Sequence, residues 1–426
     1  MRHTQALRRL ADSLWVSALL LYALLGVTTA PFHGDESTIL GMANDWFRLT
    51  NEGVSALYYQ PRRIESLGRG AQELRLLNGT LAPFVYGAAL QSVGIGADAL
   101  HGMWDWAADW WVNQYYGHFP RLDVLFVGRW ASALTLCLAL ACFFAAARRL
   151  LGRQPAYLTL LIWALMPAVL LNGRRAVFES VMLLGAALIW LAAARLAAGK
   201  TRHGAWLLLG AACGVALAAK HTNLLLIAPI FAALLCLGRQ HLIRTLRGLA
   251  LAAAVMGALF LALNPAWWSD PLGVPREVLR LRAELIAIQT NAFGRDTTVA
   301  NRLVALIAFP FGAPQYFEDT NNAWQDWLAE SIDSYENGAQ GVAWYAAAPL
   351  VYAILLIGIF SLPNQRATAL ILIPLFGMAA ALFISNPLLW QRYYLPLSFP
   401  LALLAALGLA RLGTALMRMR SLQNAR

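Results

Sequence analysis

Asp35, Arg129, Arg174, Arg175, Glu179, Lys220 and Arg392 carry charge at places where a strongly apolar chain should carry none. A carboxylate in such a place can exchange a proton, and a cation held away from bulk water seeks an anion. Asp35 and Glu36 stand together in His33-Gly34-Asp35-Glu36, directly after the apolar run Leu14 to Pro31. Arg174 and Arg175 close the run Pro155 to Asn172, and Glu179 opens the run that follows. Lys220 sits in Ala219-Lys220-His221-Thr222 between two short apolar runs, and Arg392 lies between Trp390 and Tyr393-Tyr394. Each residue also has a plain explanation. Asp35 can cap a helix over Ser37 to Phe47, Arg175 and Glu179 can pair four apart on one helix, and Lys220, Arg129 and Arg392 can anchor at lipid headgroups. Their convergence is what those explanations leave out, because six separate stretches bring all seven charges to one depth on one side. One cavity lined by both signs of charge accounts for all of them.

The elements that must position these charges are membrane spans. At 426 residues, 59% hydrophobic and 13% charged, the chain is far more apolar than a soluble protein of its size. Ten runs read as spans: Leu14 to Pro31, Leu125 to Ala147, Pro155 to Asn172, Val181 to Ala194, Ala205 to Ala219, Asn223 to Gly238, Leu249 to Leu263, Val342 to Leu362, Ala367 to Ser385, and Tyr394 to Ala410. Met1 to Arg9 followed by an apolar run is also the pattern of a signal peptide ending near Ala30, but an uncleaved first span fits better.

Charge sets the sidedness. With the N-terminus in the cytoplasm, the short inner connections collect Arg2, Arg8, Arg9, Arg148, Arg149, Arg153, Arg195, Lys200, Arg202, Arg239, Arg244, Arg247, Arg366, Arg411, Arg418, Arg420 and Arg426, as the positive-inside rule requires. Asp12 is the one inner carboxylate, so the others among the 22 Asp and Glu lie outside. The formal charge of +11 is scattered singly between apolar runs and forms no basic domain, which excludes a nucleic-acid binder. Cys137, Cys142, Cys213 and Cys236 fall inside apolar runs, which argues against a disulfide framework or thiolate metal site. No Gly-rich phosphate loop and no internal repeat is visible, and His221 has no second ligand at metal spacing. No metal and no cofactor is expected.

Two outer segments are long, 33–122 and 264–341, and they belong with the spans to a single integral membrane domain over 1–426. In the second, Val274, Val278, Leu281, Leu285 and Ile288 recur at helical spacing beneath Arg276, Glu277, Arg280, Arg282 and Glu284, which predicts an amphipathic helix lying at the interface. In the first, Trp104, Trp106, Trp110 and Trp111 with Asp105 and Asp109 read as a membrane-interface belt or as a sugar-stacking platform, with the belt favoured.

In this order the motifs resemble one family, the GT-C class of polyprenyl-phosphate-sugar-dependent glycosyltransferases, in the branch of protein O-mannosyltransferases and lipid A aminoarabinose transferases. The resemblance rests on Asp35-Glu36 after the first span, Pro83 in the outer segment, Gly128-Arg129 entering the second span, Arg174 or Arg175 followed by Glu179, Lys220, and Gln391-Arg392-Tyr393-Tyr394-Leu395-Pro396. It implies a carboxylate base at Asp35, aided by Glu36 and Glu179, with Lys220, Arg392, Arg174, Arg175 and Arg129 as candidates for holding the donor phosphate. It further implies a polyprenyl-phosphate-linked sugar as donor, a protein, lipid or glycan as acceptor, and a site on the outer face of the cytoplasmic membrane. Three positions depart from the family pattern: Glu179 stands where Asp is common, Thr38 where a basic residue or His is frequent, and Gly79-Thr80-Leu81-Ala82-Pro83 lacks the cation that usually precedes the prolines. The other class compatible with intramembrane charge is a transporter, but the absence of a repeat and the gathering of charge at one rim speak against it.

The sidedness has a direct test. In a cysteine-free variant, a single cysteine placed beside Trp104 should react with an impermeant thiol reagent added from outside. Labelling only from the cytoplasmic side would reverse the topology.

Overall fold

The computed structural model describes residues 2–60, 69–199, 203–293, 297–318, 325–343, 348–386 and 388–424. Lys200, Arg202 and Arg426 of the inner cationic set, and 344–347 of the eighth apolar run, lie outside the described residues. All regular elements among the described residues are helical, as the apolar runs predict. The first apolar run, Leu14 to Pro31, is helical up to Leu25 in α1 (Arg2–Leu25) and leaves the helix over its last six residues, and the first outer segment folds into α2 (Gly34–Met42), α3 (Asn44–Glu52), α4 (Arg69–Asn78), α5 (Leu81–Ser92) and α6 (Trp110–Tyr115). Seven helices follow: α7 (Leu122–Leu151), α8 (Arg153–Ala164), α9 (Pro167–Arg174), α10 (Glu179–Ala197), α11 (His203–Ala219), α12 (Leu224–Leu237) and α13 (Leu242–Leu263). The second outer segment holds α14 (Val274–Phe293), α15 (Val299–Phe311) and α16 (Gln325–Gly338), and the chain ends in α17 (Ala348–Phe360), α18 (Gln365–Ser385) and α19 (Ser398–Asn424).

Length separates these helices. The five stretches 122–151, 179–197, 239–263, 365–385 and 391–424 are each long and apolar enough to cross a bilayer. The third apolar run is broken: α8 and α9 meet at 61°, where Pro167 opens α9 and cannot donate to the preceding turn. The remaining four expected spans appear as shorter apolar helices, among them His203–Ala219 and His221–Leu237, and Val299–Phe311 adds one that hydropathy alone did not single out. The chain is thus a multi-pass membrane protein, with five spans clear by length and a sixth if the bent pair counts as one.

One core runs the length of the bundle. α7 lies along α10, α10 along α11, and α11 along α13, while α19 packs on α8 and α17. At its centre Phe399 of α19 sits between Phe143 of α7 and Trp163 of α8, with ring centroids 4.3 and 4.4 Å away, and the Trp163 indole N–H donates to Ser398 Oγ at 2.8 Å. At the end of the bundle where α1 starts, Asp12 accepts from Arg148 and, at 3.0 Å, from Arg153. The one carboxylate assigned to the inner side is therefore spent on two cations of that side.

The outer segments pack on each other. Val274 and Leu281 of α14 bury against Tyr59, Leu76, Leu77 and Ala266, while Ile288 and Leu279 stay exposed. Part of the expected apolar face of α14 is thus covered by protein. Trp104 is also buried, packing on Phe32, Trp110 and Phe119 at 5.6, 5.6 and 5.0 Å, whereas Trp106 and Trp111 are exposed. The tryptophan cluster is in part a local core.

Arg75 of α4 grips Asp45 of α3 through two hydrogen bonds of 2.7 and 2.6 Å, with both side chains buried. Removing one partner of such a pair leaves an uncompensated charge, at a cost of about 3–5 kcal/mol. Arg75→Met should therefore lower the unfolding midpoint of the purified protein markedly. Arg280→Met, which breaks an exposed pair with Glu277 and Glu284 on α14, should barely move it.

Candidate active site

The N-terminus of α2 places the two adjacent carboxylates in different surroundings. His33, not Asp35, caps this helix: its Nδ1 accepts from the Asp35 backbone N–H at 3.1 Å, while Glu36 Oε2 accepts from the His33 backbone N–H at 3.1 Å. This reciprocal cap leaves the Asp35 carboxylate free for other partners. Since Nδ1 accepts, a neutral His33 must carry its proton on Nε2, which then donates to Glu318 Oε2 at 2.7 Å. Burial, reinforced by the charges of Arg175 and Arg392, holds the imidazole pKa well below its ordinary value, so His33 is neutral.

Glu36 is fully buried, and its lone pairs are committed. Arg129 Nε and Nη2 donate to its two oxygens at 2.8 and 2.7 Å, and the Ala176 backbone N–H donates at 3.0 Å. Burial pushes its carboxyl up, but Arg129 outweighs it and keeps the pKa below the usual value. The approach of α7 that makes this possible depends on Gly128, where a Cβ would stand 2.5 Å from Leu40 of α2.

Asp35, in contrast, is 23% exposed and pairs with Arg392 from the turn before α19. The Arg392 Nε lies 3.2 Å from Glu318 Oε1, yet its N–H is not aimed there and is buried without a hydrogen-bond acceptor among the described residues. The guanidinium thus stands between two carboxylates with one donor unspent.

Glu179, the first residue of α10, accepts from Lys220 Nζ at 2.5 Å, and the ammonium lies 6.0 Å from the Phe178 ring centroid. Both side chains are buried, so the cation in the short connection between α11 and α12 has a buried anionic partner. The helical pair of Arg175 with Glu179 does not form, because Arg175 has an extended backbone after the end of α9. Its Nε donates instead to Pro31 O at 2.9 Å and its Nη2 to Tyr316 O at 3.1 Å. Arg174 is turned into the bundle. It donates to Ala23 O, Tyr22 O and the Tyr335 hydroxyl at 2.8 Å each, and also to Ala339 O.

Asp35, Glu36, Arg129, Arg175, Glu179, Lys220 and Arg392 are therefore gathered at one end of the bundle, with Arg174 beside them but facing away. Glu318 was not singled out in the sequence. It is 10% exposed, and burial lifts its carboxyl pKa to about 8 against the pull of Arg175 and Lys220, with Glu179 adding to the rise. Its sequence signal is slight, one of several acids in an acidic outer segment. Next to the cluster, a groove of about 510 Å³ is lined by Phe260, Trp267, Leu225 and Ile286 together with His221, Arg282 and Tyr393. Its mostly apolar wall thus includes the neighbours of Lys220 and Arg392.

Residues 121–268 match the model of the dolichyl-phosphate-mannose-protein mannosyltransferase family. That stretch holds Arg129, Arg174, Arg175, Glu179 and Lys220 but not Asp35, Glu318 or Arg392. No curated protein matches the sequence. Among solved structures, ArnT from Cupriavidus metallidurans bound to undecaprenyl phosphate is similar over 97% of this chain and 63% of its own, at 16% identity and a TM-score of 0.55. The archaeal oligosaccharyltransferase AglB from Archaeoglobus fulgidus, in complex with an inhibitory peptide and a dolichol-phosphate, is similar over 97% of this chain and 52% of its own, at 13% identity and a TM-score of 0.52. The chain spans less than two-thirds of the length of either. The resemblance to GT-C glycosyltransferases read from the sequence thus holds in a family match over residues 121–268 and in the fold along nearly the whole chain.

Proposed function

We propose that the protein is a membrane glycosyltransferase that moves a sugar from a polyprenyl-phosphate-linked donor to an acceptor hydroxyl at the outer face of the membrane, with Asp35 as the base. One observation carries this reading: Asp35 is the partly open carboxylate of a buried charge cluster, held by an arginine that still has a buried donor to offer. Lipid-phosphate ligands in ArnT and AglB, and the phosphate donor in the matched family's name, support the same substrate class.

The chemistry needs a base and an anion site. The acceptor oxygen attacks the anomeric carbon, its proton passes to Asp35, and the bond from that carbon to the phosphate oxygen breaks, releasing polyprenyl phosphate. Arg392 exchanges Asp35 for the donor phosphate as the donor binds, which frees the carboxylate to take the proton. Lys220 meets the same phosphate from the other side, and the apolar groove takes the first part of the lipid chain. Arg175 contributes charge at short range. Glu36 and Arg129 act as a frame, and Glu179 holds Lys220. Arg174 ties α1 to the second outer segment. With Glu318 protonated, Arg129, Arg175, Lys220 and Arg392 meet, among the described residues of the cluster, the charges of Asp35, Glu36 and Glu179, and the positive excess suits a phosphate.

Asp35→Asn keeps the side-chain shape but cannot accept a proton at neutral pH. In membranes that contain the variant at normal levels, sugar transfer from lipid-linked donor should fall by at least 100-fold, the usual order for losing a general base, while donor binding persists. Transfer within a few-fold of the unaltered protein would refute the assignment of Asp35.

Glu318 gives a second test through pH. Its pKa is about 8 in the fold and near 4.5 unfolded, so between those values the folded state keeps a proton that the unfolded state has released. Stability from this group therefore falls as pH rises from about 4.5 to about 8. Glu318→Gln cannot ionise, and its unfolding midpoint should exceed that of the unaltered protein above pH 8, with the gap closing towards pH 4.5. Parallel curves across this range would show that Glu318 is ionised in the fold.

A further inference from the structure

At the end of the bundle opposite the carboxylates, a cavity of about 890 Å³ opens between α10, α11, α12, α13 and α18. α10 fixes its level. The helix starts at Glu179 in the active site and reaches the cavity wall at Leu196 and Ala197, a rise of about 26 Å, close to the thickness of a hydrocarbon core of about 30 Å. The cavity thus stands where the headgroups of the other leaflet lie.

Its lining has two characters. Arg244 and His241 from the turn and first residues of α13 face it together with Arg366 and Asn364 from the start of α18, whose N-terminal dipole adds positive potential. No carboxylate is among the described lining residues. Apart from Thr245 and Gln365, the rest of the described wall is apolar or glycine, with Trp206 of α11 and Leu234 of α12 prominent. The walls are held in place by close contacts. A Cβ on Gly248 of α13 would stand 2.2 Å from the Trp206 ring, and Thr245 Oγ1 donates to His241 O at 3.2 Å, pinning the turn that carries Arg244.

We propose that this cavity binds the phosphate group of an anionic phospholipid of the leaflet opposite the active site. Arg366 and Arg244 line it from two different helices, each guanidinium carries the planar fork of donors that suits phosphate oxygens, and the apolar wall receives the glycerol end of the acyl chains. Topology alone asks only for cations at this end. It does not ask for a preformed hollow with guanidinium groups on one side and tryptophan and leucine on the other.

The test uses the full chain purified in a neutral detergent and three additives: phosphatidylglycerol, phosphatidylcholine of the same acyl composition, and inorganic phosphate. Phosphatidylglycerol should raise the unfolding midpoint by several degrees, since a ligand of the folded state stabilises it, and the other two should not. Arg366→Gln, an exposed position that folding tolerates, should cut phosphatidylglycerol retained in native mass spectra about tenfold, the loss expected for one charge-assisted contact. Adding Arg244→Gln should abolish the midpoint shift. A shift produced equally by inorganic phosphate would overturn the lipid as the source of the phosphate. An equal shift with phosphatidylcholine, or a phosphatidylglycerol shift undiminished in both variants, would overturn the site.

Discussion

The buried pairing of Glu36 with Arg129 is the constraint on which the site depends. Two charges leave water together, and neither can be given up without exposing the other to a low dielectric. Glu36 therefore draws its donors from three places, the backbone at His33, the guanidinium on α7, and the backbone at Ala176 ahead of α10. Each bond fixes a different stretch of chain to the first turn of α2. The neighbouring Asp35 inherits that rigidity without spending its own oxygens on the cap, and the base role proposed for it needs such placement to meet an incoming hydroxyl at a constant distance.

A second consequence follows from how the cations are shared. Arg174 gives its donors to backbone carbonyls and a tyrosine hydroxyl, Arg129 gives its donors to Glu36, and Lys220 meets Glu179. Arg392 alone among them stands between two carboxylates, and one of these, Glu318, holds its proton into the neutral range. The outer loop that carries Glu318 therefore sets how much positive charge Arg392 can offer. A neutral Glu318 leaves the guanidinium with Asp35 as its one full countercharge among the described residues, and the proposed exchange of that partner for a phosphate then costs less than breaking two ion pairs.

Much of this was legible in the sequence because charge is conspicuous against an apolar background. Asp35, Lys220 and Arg392 stood out since each interrupts or borders an apolar run, and the structure gathers them at one end of the bundle. The division of labour between Asp35 and Glu36 was not legible, because adjacent acids look alike until burial separates them. Glu318 was hidden for the opposite reason. It lies in a polar outer segment where carboxylates are ordinary, and it becomes unusual only when His33 and Arg392 enclose it. The tryptophan cluster misled in part, since an indole that packs over a helix start and one that faces lipid have the same sequence signature. Pro167 marked the break between α8 and α9, but hydropathy averages over a bend and read one span where the chain makes two helices.

The two ends of the bundle show opposite solutions to the same electrostatic problem. At the end with the outer segments, loops fold over the spans and supply carboxylates from α2 and from the stretch before α16, so cations are buried in pairs and the few unspent donors point inward. At the far end the connections are short and carry almost no acid, so cations stay exposed and Asp12 is consumed by Arg148 and Arg153. A lipid-linked substrate has a charged group and an apolar chain joined at one atom, and it can be held only where a low-dielectric groove meets fixed charge. The groove beside Lys220 and Arg392 is such a place because α11 and α12 are too short to carry Lys220 out to bulk water. The shortness of two helices thus determines the depth of the cation, and under the proposed function that depth determines where a phosphate attached to a lipid can stop.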